Sequence, residues 1–182
     1  MNYKGKINTE FLLKLNECIN FLPDDHNNLN WTIVFYDQQN FINDHKDNKV
    51  YSKEHYNKIL DKNSLASGST VSEIKEIHLF LFKYEFTPAD LIKLIGNIYH
   101  EIRHAWQYSN NIYEIENEIS PYEDFEAYIK QPWEQDAYKF QLKYMRVHYN
   151  KILEIFNLKN YVVPVYNFHE DIMKFINEEI IK

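Results

Sequence analysis

The chain reads as an α+β protein, with a small mixed β-sheet packed on one long helix and further helices toward the C-terminus. Three observations carry this. Trp31–Tyr36 and Ile77–Phe82 are aromatic, β-branched or aliphatic runs without Asp, Glu, Lys or Arg, as buried strands are. Several other segments repeat apolar residues at helical spacing. The stronger strand signal also leads within a few residues into the best-marked helix, which sets the order strand, helix, helix.

Asn8–Leu22 is the first helix, with Phe11, Leu12, Leu15, Ile19 and Leu22 on one face and Pro23-Asp24-Asp25 as its stop. The strand Trp31–Tyr36 follows. Gln39–Asp61 is polar and mixed, with a short helix near Phe41 and then an irregular or hairpin region. Leu65–Thr70 gathers small residues and reads as a surface loop. After Ile77–Phe82 comes a helix with a complete start signal: Thr87 as cap, Pro88 at the first helical position and Asp90 in the first turn. Leu91, Ile95, Ile98, Ile102 and Ala105 form its apolar stripe. A polar connection from Tyr108 to Ser120 carries Glu114, Glu116 and Glu118. A helical stretch then precedes Pro132, which opens a helix to about Phe156 with Ala137, Tyr138, Gln141, Met145, His148 and Ile152 along one side. Asn160–Asn167 is a loop or edge strand. Glu170–Ile181 is a last amphipathic helix burying Ile172, Phe175, Ile176 and Ile180.

The 182 residues suit one domain, 1–182, divisible into an N-terminal helix and sheet (1–86), a central helix (87–110) and a C-terminal helical part (121–182). Aromatics are abundant at 16%, with 15 Tyr and 12 Phe. Three Gly and five Pro leave no flexible linker. A net charge of -7 argues against a nucleic-acid partner, which needs clustered Lys and Arg. No run is long enough to span a bilayer, and the start MNYKGKINTEF lacks the apolar stretch of a signal peptide. The expectation is a cytoplasmic protein with no membrane partner. The lone cysteine, Cys18, reads as a small buried apolar residue.

The chemistry concentrates in His100-Glu101-Ile102-Arg103-His104. Histidines four apart on a helix project from one face, the spacing at which two imidazoles reach one zinc ion, with the intervening glutamate beside its water. Catalytic zinc takes three protein ligands. No histidine lies between residues 105 and 147, so a carboxylate on the next helix is the natural third. Glu134 is the choice, in the first turn after Pro132, with the small Ala137 allowing close approach of the two helices. Glu123, Asp124 and Glu126 compete for the role, and Asp136 reads as a supporting or surface charge. Arg103 faces away from the metal and pairs with an acid behind the helix. Gln107, one turn past His104, bonds a ligand or lines the cleft. Trp106 and Trp133 are core anchors, and His78 is a structural or surface histidine.

HEIRHAWQ followed by PWEQDAYKF resembles the zincin-type metallopeptidases of the gluzincin arrangement, in which HExxH is joined by a downstream E-x-x-A. Compact ImmA/IrrE-type proteins and similar phage or mobile-element peptidases share that pattern. The resemblance covers the two helices and the strand before them, about a third of the chain. It implies a zincin-like fold, Zn²⁺ held by His100, His104 and Glu134, Glu101 as general base, and a protein or peptide substrate. Tyr128, Tyr138 and His148 are candidates to stabilise the oxyanion. Two other functions remain open: a binding or regulatory protein with a structural metal, and a zinc-dependent hydrolase of a non-peptide amide.

Overall fold

The computed structural model describes residues 1–47, 50–113, 118–158, 161, 165–168 and 170–176. The architecture is α+β, around a four-stranded mixed sheet. Its strands are β1 (Asn2–Gly5), β2 (Thr32–Tyr36), β3 (Gly68–Val71) and β4 (Glu76–Phe80), in the order β1-β2-β4-β3. β1 and β4 flank β2 in parallel, and β3 runs antiparallel along the far edge of β4. Ile33 pairs with Ile77 and Phe35 with Leu79, so the two apolar runs sit side by side at the centre.

The period-two alternation of these strands separates two cores. Ile33, Phe35, Ile77 and Leu79 face the main core, with helices α1 (Thr9–Ile19), α5 (Pro88–Asn110) and α7 (Pro132–Ile155). Val34, Tyr36 and Phe80 face a smaller core closed by α3 (Gln38–His45) and α4 (Lys53–Leu60). The short helices α2 (Asp24–Asn27), α6 (Phe125–Lys130) and α8 (Glu170–Met173) complete the described set.

α5 begins as its sequence predicts. Thr87 accepts the Asp90 N–H, Pro88 stands at the first position, and Asn111 ends the helix in the left-handed region at φ 50°. Leu94, Ile95, Ile98 and Ile102 are buried on the sheet side. Each contributes about 2 kcal/mol through apolar burial, which offsets the cost of enclosing His100, Glu101 and His104 on the same helix. α7 packs along α5 with Ala137 fully buried between them. Gly96 serves the same approach: a Cβ there would lie 2.5 Å from Tyr166 Oη and 2.7 Å from Gln141 Nε2.

Four elements differ from the sequence reading. Leu65–Thr70 is not simply a loop, because Gly68–Val71 pairs with β4 as an edge strand. Asn2–Gly5 is a strand with no apolar alternation of its own, held by backbone pairing to β2. Residues 53–60 form α4, started by Ser52 accepting the His55 N–H, rather than a hairpin. The first helix stops at Ile19, and Pro23 starts α2. Toward the C-terminus, Asn160, residues 162–164 and residues 177–182, with Ile180, lie outside the described residues. The described part of the last helix is Glu170–Met173, and Ile176 beyond it is buried. No helix among the described residues is long and apolar enough to cross a membrane.

Candidate metal centre

His100, Glu101 and His104 are buried on α5, and Glu134 is buried in the first turn of α7. The two helices pack antiparallel, Gln107 meeting Trp133 and Gly96 meeting Gln141, and this brings these side chains to one point. His100 Nε2 lies 3.2 Å from Glu134 Oε2, His104 Nε2 lies 3.3 Å from Glu134 Oε1, and the two Nε2 atoms are 3.0 Å apart. One ligand atom from each residue falls within 4.8 Å of the others, and among the described residues this is the group able to hold a metal ion. The donor set fits: two imidazoles and a carboxylate suit zinc and other first-row divalent ions. Glu134 Oε2 is buried without a hydrogen-bond partner, as expected where a cation completes the balance; His100 Nδ1, on the ring edge away from Glu134, is also buried without one.

The electrostatics agree. Burial works against an imidazolium at His104, yet the Glu134 carboxylate outweighs it and pushes the pKa up to about 9. Burial likewise favours a neutral acid at Glu134, but the two imidazoles hold its carboxyl well below the usual range. The pocket calls for positive charge among these groups, which a metal ion or a proton can supply.

The competing carboxylates are elsewhere. Glu123 accepts the Ser120 N–H, Asp124 caps α6 at Ala127, and Glu126 pairs with Lys130 on the surface. Asp136 lies behind α5, where Arg103 binds it through Nε at 2.8 Å and Nη2 at 3.1 Å. Gln107 Oε1 is 2.9 Å from His104 Nδ1. Trp106 is half-buried, with its indole N–H on Asp25 and its ring under Arg103. Trp133 lines the cleft rather than only the core.

A cleft of about 550 Å³ opens over these residues. Its walls include β3, Tyr128, Tyr138 and Glu118. Tyr138 sets its ring 4.5 Å from that of His100, and Tyr128 stands in the cleft wall near Glu134. Burial and the nearby Glu134 push both phenols upward, so both remain O–H donors at neutral pH. Burial, followed by Glu134, raises the Glu118 carboxyl at the cleft rim; Glu114 and Glu116 lie outside the described residues. His148 is a correction. It stacks on Phe21 at 4.5 Å, away from the cleft, because Tyr149 takes the buried position on that turn of α7.

The sequence reading missed Thr70 and Gly68. Thr70 Oγ1 donates to Glu101 Oε2 at 2.8 Å and shares its hydrogen with the Glu101 carbonyl at 3.1 Å. Gly68 makes room for that carboxylate, since a Cβ there would stand 3.0 Å from Glu101 Oε1. The signal was the β-branched Thr70-Val71 pair close before a strong strand, diluted by the small residues ahead of it.

Comparison with protein-family models, curated proteins and solved structures finds no match to this chain.

Proposed function

We propose that the protein is a zinc-dependent metallopeptidase of zincin-like design. The observation that carries this reading is the joining of His100 and His104 to Glu134 from a second helix, with Glu101 in the turn between the histidines. Zinc held by these three side chains would supply Lewis acidity and lower the pKa of a coordinated water toward neutrality.

The chain's own residues supply the rest. Glu101 takes the proton of the attacking water and returns it to the leaving amine. Thr70 orients the carboxylate by holding Oε2, which leaves Oε1 toward Gly68. Tyr128 and Tyr138 are O–H donors in the cleft wall that holds the ligand set, and serve the oxyanion. β3 is an edge strand beside the cleft, so its free backbone groups can pair with an extended peptide, a recurrent mode of peptide recognition.

The test is Glu101→Gln in zinc-loaded protein assayed against a library of unstructured peptides. Retained zinc with turnover lowered by about 10²–10⁴-fold is the expected result. Zinc binding with no cleavage by the wild type, and no change in the variant, would favour a structural metal. Glu101-dependent hydrolysis confined to non-peptide amides would favour an amidohydrolase.

A further inference from the structure

Either ring nitrogen of a histidine can face a cation, and what holds the other nitrogen decides which one does. At His104 the other nitrogen is Nδ1, 2.9 Å from Gln107 Oε1. The Gln107 amide is itself held. Its Nε2 donates to the Trp133 carbonyl at 3.0 Å and to the Asp136 carboxylate at 2.7 Å. Both partners can only accept. Turning the amide over would set its oxygen against a carbonyl and a carboxylate, so one orientation alone satisfies all three contacts. With oxygen toward the ring, Nδ1 carries a hydrogen, so the neutral ring has its lone pair on Nε2. Nε2 faces Glu134 and His100.

The carboxylate that orients Gln107 is fixed in turn. Arg103 grips both oxygens of Asp136, and its Nη1 lies 2.8 Å from His26 Nε2. A guanidinium only donates, so His26 accepts there and gives its Nδ1 hydrogen to Asp25 at 2.7 Å. His26 is stacked between Trp106 at 4.9 Å and Phe140 at 4.6 Å. Donor direction is therefore set from Asp25 through to the ring of His104.

We propose that Gln107 is a positioning residue of the metal centre. Its amide, clamped by Asp136 and Arg103, holds the hydrogen on His104 Nδ1, so that Nε2 is the nitrogen that gives up its proton and takes the ion. The proposal rests on the metal-centre reading above. A neutral amide suits the place, because a carboxylate at 107 would stand against Asp136 and the Trp133 carbonyl, whereas the amide accepts on one side and donates on the other.

The test is zinc affinity by chelator competition at neutral pH, for wild type and Gln107→Met, beside thermal unfolding of both metal-free proteins. Methionine keeps the volume and removes the acceptor and donors. A fall of about 10–100-fold in affinity is expected, larger than any change in metal-free Tm accounts for. Equal affinities overturn the positioning role and leave the metal centre standing, whereas a wild type that binds no zinc overturns both. Should Gln107→Met fail to fold, ¹⁵N imidazole spectra of zinc-loaded wild type decide alone. Coordination through His104 Nε2 with a slowly exchanging Nδ1 proton is expected, and coordination through Nδ1 overturns the proposal.

Discussion

Two groups of buried histidines lie on opposite sides of the sheet, and they differ in how their donors and acceptors balance. Behind the sheet, His78 is fully enclosed in β4. Its Nδ1 faces the Tyr51 hydroxyl at 2.6 Å and its Nε2 faces Glu76 Oε2 at 3.0 Å. Glu76 is tied in turn to Lys4 at 2.6 Å, and His45 meets the Tyr36 hydroxyl at 3.0 Å. A neutral imidazole with its hydrogen on Nε2 satisfies the His78 contacts. On the α5 side, two Nε2 atoms and a carboxylate converge instead, and Glu134 Oε2 is left without a hydrogen-bond donor. Burial of a histidine therefore says little about metal binding. An excess of acceptors around one point says a good deal.

The largest expected effect breaks the comparison by metal content. Elemental analysis of protein purified without a metal-affinity tag should find about one zinc per chain in the wild type. Glu134→Ala removes a ligand and should retain far less. His78→Gln, a change of equal burial in the balanced group, should still hold about one. Zinc retained by Glu134→Ala, or lost from His78→Gln, would erase the distinction drawn between the two sites.

The next effect is acid sensitivity, and it belongs to the balanced group. Burial pushes the His78 imidazole down to about 4, against the pull of Glu76. Between that value and the unfolded value of 6.5, the unfolded chain binds the proton and the folded chain does not. Stability is then full above pH 6.5 and is lost as pH falls toward 4, by about 3 kcal/mol from this one group. Urea titrations of metal-free protein across that range check it. His78→Gln, neutral at every pH, should start from a lower plateau and lose about 3 kcal/mol less on acidification. Parallel pH profiles for the two proteins would mean that His78 accepts a proton in the fold.

How much of this the sequence disclosed follows from where the information sits. The α5 start, the two central strands and the His100, His104 and Glu134 set were legible because capping residues, apolar periodicity and ligand spacing are local signals. β1 and β3 were not, because an edge strand held by backbone pairing needs no apolar alternation, and its partners can be distant in sequence. The same gap hid Thr70 and Gly68, whose roles exist only once β3 lies against Glu101. His148 was misplaced by following one helical stripe too far along α7. The clamp on Gln107 was half legible: Arg103 was expected to meet an acid behind the helix, but nothing local joins His26 and Asp25 to it.

The smallest expected effect sharpens the comparison at a single hydrogen. Tyr51→Phe keeps the ring among Phe41, His45 and Phe80 and removes only the hydroxyl. The hydroxyl lost serves His78 Nδ1. A buried acceptor left without its donor costs about 1–3 kcal/mol, so the variant should unfold at lower denaturant with an unchanged slope. Its zinc content should equal that of the wild type, since no ligand or ligand partner is touched. The His78 ring then has an acceptor that nothing satisfies, which is the condition found naturally at Glu134 Oε2. If one orphaned acceptor were enough to recruit a metal, Tyr51→Phe would gain zinc. The convergence argument expects none, because the nearest other acceptor, Glu76, is already held by Lys4 and by His78 itself.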